Sequence, residues 1–192
     1  PSVVVTRKWF HVIAVLLFAP ITWQFPQLMS LSYAIATCVL IVLETLRSDA
    51  PMLQSFYVAF LDRKDDEDHF IVSHIFLIIG CASTLWISEI LSNESLLLSE
   101  FGVICIGIGD AMGAVIGKTM GKIRWGRNQR TLEGSLAMWL SMVGAGMLVC
   151  KPLQDNRELV AFLVATTFTT LLEALTFHLD NLVLPLSGST II

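Results

Sequence analysis

Apolar runs long enough to cross a lipid bilayer dominate this sequence. A spanning helix needs roughly 20 mostly apolar residues, because inside the bilayer its backbone polar groups must satisfy one another. About six stretches meet or approach that length: Trp9–Phe25, Leu28–Leu46, Phe70–Leu91, Leu96–Ile116, Leu136–Cys150 and Leu159–Phe177. The fifth is short and carries glycines. A last apolar piece, Leu182–Leu186, is expected to stop at Pro185 and Gly188 and is too short to span. Of 192 residues, 55% are hydrophobic and 15% charged, where soluble domains carry about a quarter charged residues. Composition therefore excludes a soluble monomer, a nucleic-acid binder, a disordered chain and a disulfide scaffold. Cys38, Cys81, Cys105 and Cys150 stand singly inside apolar runs and read as small hydrophobes. The expected fold is an all-α, polytopic transmembrane helical bundle, with residues 1–192 forming one membrane-embedded domain. The chain begins at Pro1 with no signal-peptide layout, so it is expected to be processed or to be the C-terminal part of something longer.

The connections between spans alternate in charge. One side receives Arg7 and Lys8, the loop Arg47–His69, the loop Lys118–Glu133 and the stretch after Phe177. The other receives the turn near Pro26, the turn Ser92–Ser95 and the loop Lys151–Glu158. Ten Lys and Arg (7, 8, 47, 63, 64, 118, 122, 124, 127, 130) fall on the first side and two (151, 157) on the second. The positive-inside rule places the first side in the cytosol. The sequon at Asn93 lies on the opposite side, compatible with a lumenal face.

Polar chemistry gathers on the first side. Glycines at 109, 113, 117 and 121 recur every four residues, a stripe suited to close helix packing. Asp110 lies within that stretch, and a carboxylate inside a span costs about 3 kcal/mol on insertion scales, which marks it as a functional candidate. Gly113 to Thr119 is one residue short of a P-loop, and Gly107, Gly109 and Gly113 miss the dinucleotide-binding spacing; neither follows a strand, so both readings fail. Next comes Lys118-Thr119-Met120-Gly121-Lys122-Ile123-Arg124-Trp125-Gly126-Arg127-Asn128-Gln129-Arg130-Thr131-Leu132-Glu133, basic throughout until it closes on an acid. Cations, accessible backbone N–H groups and a carboxylate suit a polyphosphate with a divalent metal, and Trp125 could stack on a base. A topogenic loop and a patch for anionic membrane lipids are the plainer alternatives.

The sixth span carries Thr166, Thr169 or Thr170, Glu173, Thr176 and Asp180 at helical spacing. Such a stripe also suits an ion path, so a transporter is the rival reading. A transporter needs polar groups continuing to the far side, and there the spans read as almost wholly apolar. Asp62 is the one member of its charged loop singled out, and His178 reads as an interface residue.

Several landmarks run in order along nearly the whole chain: Arg7-Lys8-Trp9-Phe10-His11, Phe60-Leu61-Asp62, Ser73-His74-Ile75-Phe76-Leu77, Gly107-Ile108-Gly109-Asp110, Gly117 to Trp125, Thr131-Leu132-Glu133-Gly134, Leu172-Glu173-Ala174 and Asp180 to Pro185. In these the sequence resembles the C-terminal catalytic region of the dolichol kinases, CTP-dependent polyprenol kinases. The resemblance implies transfer of the γ-phosphoryl group of CTP to dolichol, in the endoplasmic reticulum with the site facing the cytosol, to supply the lipid carrier of protein N-glycosylation. It implies that residues 118–133 form the CTP-binding loop. On that basis Asp110 and Glu133 are expected to hold Mg²⁺, with Asp180 or Glu173 as a further ligand. Arg7, Lys8, Lys122, Arg124 and Arg130 are expected to neutralise the triphosphate, and Asp110 is alternatively the base for the dolichol hydroxyl. Diacylglycerol and phytol kinases share the outline, and a cytidylyltransferase is the second enzymatic alternative.

Overall fold

The structure, a computed structural model, describes residues 3–50, 73–92, 95–125, 130–149, 156–176 and 180–192, with side chains from His11 onward apart from Ser48, Ser73 and Asp180. Seven helices are found there. They are α1 (Val3–Gln24), α2 (Pro26–Leu46), α3 (Ser73–Ile90), α4 (Leu96–Thr119), α5 (Leu132–Val149), α6 (Asn156–Leu175) and α7 (Asp180–Ser189). Among the described residues there is no β-strand beyond one isolated bridge. By length and composition α2, α4, α5 and α6 suffice to cross a membrane, and His11–Gln24 and His74–Ile90 add shorter apolar stretches. The all-α polytopic expectation is met.

Helix α4 is the axis of the bundle: 67% of its apolar window is buried, against 17% for α2. One face packs Leu97, Phe101, Ile104 and Cys105 against Met138 and Met142 of α5, Phe162 of α6 and Leu184 of α7. The other packs Val103 and Ile106 against Met29, Tyr33, Cys81 and Leu85 of α2 and α3. Helices α3 and α4 cross closely, and a Cβ on Gly102 would lie 2.7 Å from the Gly80 carbonyl oxygen.

At that crossing α4 changes pitch. Its first segment, Leu96–Gly102, is α-helical, Val103–Asp110 winds as a π-helix, and Ala111–Thr119 is α-helical again. The Thr84 hydroxyl of α3 enters the ladder at the change, accepting from the Gly102 N–H (3.0 Å) and donating to the Ser99 carbonyl (3.2 Å). A side chain inserted into the i→i−4 ladder widens it locally, and π segments of this kind concentrate at functional sites. The widened stretch ends on Asp110.

Two boundaries differ from the sequence expectation. Helix α5 starts at Leu132 rather than Leu136, because Thr131 caps it: its hydroxyl accepts from the Gly134 N–H (3.2 Å). The piece after Asp180 does not stop at Pro185; it runs to Ser189 with Pro185 inside it. Proline deprives the carbonyl four residues back of its partner, and that carbonyl, of Asn181, packs against Gly80 of α3, where no Cβ obstructs it. Ten residues rise about 15 Å, half a bilayer core, so α7 is a half-helix entering the bundle from the Lys118–Glu133 side. Gly188 seats on the Phe101 ring, and Ile191 and Ile192 pack on the core.

Candidate functional site

The glycine stripe sets the geometry of the near end of the bundle. Gly109 faces Met138 and Met142, Gly113 faces Gly134, and Gly117 and Gly121 face Thr131. A Cβ on Gly134 would stand 2.8 Å from the Gly113 carbonyl oxygen, so α4 and α5 pack backbone to backbone. The stripe is a packing seam, as its spacing suggested. It brings the two ends of the basic loop together.

Those ends form the base of a hairpin. Arg124 and Thr131 pair as an antiparallel bridge, with Trp125 N–H donating to the Arg130 carbonyl (3.0 Å) and Leu132 N–H to the Ile123 carbonyl (2.8 Å). Both oxygens of Glu133 accept from the Ile123 N–H (3.2 Å each). The Trp125 indole N–H donates to Ser135 Oγ (3.1 Å), tying the ring edge to α5. Lys118, Lys122 and Arg124 are exposed around this base. Gly126, Arg127, Asn128 and Gln129 lie outside the described residues, as do Asp62, His178 and the side chains of Arg7, Lys8 and Asp180.

Asp110 and Glu173 reach the same region from the membrane side. Asp110 Oδ2 lies 3.9 Å from His11 Nε2 of α1. The approach is close there because Gly107 offers no Cβ against Val15, one helical turn along α1 from His11. Glu173, its side chain 6% exposed, forms an ion pair with Arg130 of the hairpin. Asp110 lies about one turn before Gly113 on α4, and Gly113 packs on Gly134 at the start of α5, the helix that Arg130 and the hairpin lead into. Basic hairpin, Glu173 and Asp110 thus share one end of the bundle. Glu133 is occupied by the hairpin backbone instead. Among the described residues no group of three His, Cys, Asp or Glu side chains could hold a metal by itself.

The Thr stripe of α6 is buried, as expected, at Thr166, Thr169 and Thr170. Two of its hydroxyls serve the helix, Thr166 donating to the Leu163 carbonyl (3.0 Å) and Thr170 to the Thr166 carbonyl (2.8 Å), while the Thr169 hydroxyl is buried with no partner among the described residues. Thr169 faces Gly188 of α7. A packed stripe of this kind does not support the transporter reading.

One expectation is overturned. The far halves of the spans are not almost wholly apolar, for α4 carries Glu100 there, 1% exposed, with both carboxyl oxygens lacking a hydrogen-bond partner among the described residues. It lines a cavity of about 320 Å³ together with Ala19, Pro20, Trp23, Gln24, Leu148 and Val149. Glu89 of α3 accepts from Ser30 Oγ (2.7 Å) on the same far side. In the sequence each stands as one acid at the edge of an apolar run, with no periodic signal to mark it. Two further contacts, His11 with Asp110 and Glu44 with Arg47 (3.1 Å), were equally unmarked.

Comparison with known proteins gives a consistent result. Over 95% of its length the chain is 35% identical to "Dolichol kinase EVAN" of Arabidopsis thaliana, covering 34% of that protein. It is 30% identical over 94% of its length to "Dolichol kinase sec59" of Schizosaccharomyces pombe, covering 37%, and 30% identical over 95% to the "Dolichol kinase" of Homo sapiens, covering 36%. The chain therefore spans about a third of the length of these curated relatives. No family model matches it, and no solved structure does.

Proposed function

From the membership of this chain in the dolichol kinase family, we propose that it carries the catalytic region of a CTP-dependent lipid kinase, passing the γ-phosphoryl group of CTP to the terminal hydroxyl of dolichol. The products are dolichyl phosphate and CDP. The observation that carries the reading is the convergence at one end of the bundle, where the hairpin's Arg130 meets Glu173 and the α4–α5 glycine seam sets Asp110 about one turn from Gly113, which packs on Gly134 at the start of α5. Excess Lys and Arg on that side argue for a cytosolic site in the endoplasmic reticulum membrane, with the product feeding N-glycosylation.

Phosphoryl transfer asks the protein mainly for positioning and charge neutralisation. Lys118, Lys122, Arg124 and Arg130 surround the hairpin base, and Arg7 and Lys8 belong to the start of α1, so cations from two elements serve the triphosphate. Trp125, its indole edge tied to Ser135, is held where a cytosine can stack on it. Asp110, partly exposed at the end of the π segment, is the carboxylate we assign to the acceptor alcohol or to the metal. It either accepts the alcohol's hydroxyl proton or serves the metal.

Mg²⁺ asks for only one or two carboxylates besides phosphate oxygens, so the absence of a three-acid cluster is no obstacle. Asp110 would be the first carboxylate to hold it, with Glu133 contributing through lone pairs that its bonds to the Ile123 N–H leave, and the ion would neutralise charge on the transferring group. The apolar bundle admits the polyprenol laterally from the bilayer.

The test uses the full-length protein in nanodiscs with γ-labelled CTP or ATP, Mg²⁺, and dolichol, diacylglycerol or phytol offered separately. Label passing from CTP to dolichol, and lost in Asp110→Asn, is the expected outcome. Label on another alcohol would change the substrate and keep the chemistry. No transfer to any alcohol would overturn the kinase.

A further inference from the structure

Glu173 stands among the acids expected to serve the metal, yet its contact is with a cation of the hairpin. It belongs to α6, a helix of 20 residues packed on α5 and α7, and its side chain is 6% exposed. Arg130 belongs to the hairpin, one residue before the cap of α5, with a side chain 27% exposed. The contact runs through Arg130 Nη1 to Glu173 Oε1. A guanidinium carries five N–H donors in a planar fork, so a carboxylate on one edge fixes the plane in which the others point.

We propose, on the basis of the kinase reading above, that Glu173 is a positioning residue for Arg130: it pre-orients the guanidinium for the triphosphate. Three observations carry this. The carboxylate sits on a rigid buried element and the arginine on a loop, so orientation is imposed on Arg130 rather than on Glu173. The hairpin base is pinned independently, by Glu133 on the Ile123 N–H, by Trp125 on Ser135 and by the Trp125 N–H on the Arg130 carbonyl, so the backbone at Arg130 is held without the Glu173 contact. A free arginine loses about 2 kcal/mol of rotamer entropy when ordered, and Glu173 removes part of that cost before the nucleotide arrives. A metal ligand and an arginine anchor make opposite predictions for nucleotide without metal.

The decisive experiment measures binding of CTP in EDTA, without Mg²⁺, to the full-length protein and to Glu173→Gln, Arg130→Gln and the double variant. Ordering one flexible side chain is worth up to about tenfold in affinity. Glu173→Gln is expected to weaken metal-free CTP by about that factor, and the double variant to bind no worse than Arg130→Gln alone. Should the Gln protein fail to fold, Glu173→Asp takes its place in the same cycle, with the same non-additivity expected. In turnover, Glu173→Gln should raise the KM for CTP more than it lowers kcat. Unchanged metal-free affinity in Glu173→Gln, or losses that add, would overturn the assignment while leaving the kinase intact. Absence of CTP binding by the unsubstituted protein both in EDTA and with Mg²⁺ would overturn the kinase reading and this assignment with it, and binding with Mg²⁺ alone would overturn the assignment and leave the kinase.

Discussion

Two glycines of the same helix should respond to alanine with opposite signs. In α5 a Cβ at Gly144 meets nothing within 4 Å, so Gly144→Ala adds only the helix-propensity difference, up to about 1 kcal/mol of stabilisation. At Gly134 the same atom would stand 2.8 Å from the Gly113 carbonyl oxygen, 3.1 Å from Gly117 Cα and 3.1 Å from Thr131 Oγ1. Two of those three neighbours are backbone and have no rotamer to change, so α4 and α5 must separate. Overpacking of this kind costs about 1–3 kcal/mol. Set against the full propensity gain, Gly134→Ala should lose up to about 2 kcal/mol, about 1–3 kcal/mol below Gly144→Ala. Equilibrium unfolding by SDS in mixed micelles measures both variants on one scale. Because the seam also aligns the hairpin, Gly134→Ala should lose phosphoryl transfer beyond its loss of folded protein, whereas Gly144→Ala should keep it. Equal stability of the two variants would refute the backbone-to-backbone seam.

Thr131→Val keeps the shape of the cap and removes the oxygen that accepts from the Gly134 N–H. It should cost about 1 kcal/mol by the same unfolding measurement, and an unchanged midpoint would mean that the cap contributes nothing. Glu100→Leu replaces a buried carboxyl, partnerless among the described residues, with an apolar side chain. Removing its desolvation penalty should stabilise the protein by about 1–3 kcal/mol, read as a higher thermal midpoint in nanodiscs. A lower midpoint would show that the carboxyl is engaged.

What was legible beforehand follows from the strength of the local signals. Apolar length predicted the helices, since a chain in hydrocarbon has few ways to satisfy its backbone. The four-residue recurrence of glycine predicted the packing seam, and the run of cations marked the loop that forms the hairpin. Helix α7 continues through Pro185 because the displaced Asn181 carbonyl has room against Gly80 of α3, a hundred residues earlier, where no Cβ obstructs it. The early start of α5 was missed because its first turn, Leu132 to Ser135, is polar; Thr131 supplies the start signal instead.

The sequence alone determined an all-α membrane bundle, the side on which its cations gather, and the family whose landmarks it carries. These are properties of hydrophobic length, charge asymmetry and residue order, each readable along one dimension. Only the tertiary structure decided that α4 turns π after Thr84 enters its ladder, that Asp110 faces His11, and that Glu173 takes Arg130. It also decided that Glu100 is buried rather than facing lipid or water. Each of these joins residues far apart in the chain, and partnership depends on which helix face meets which, a choice made when the whole bundle packs.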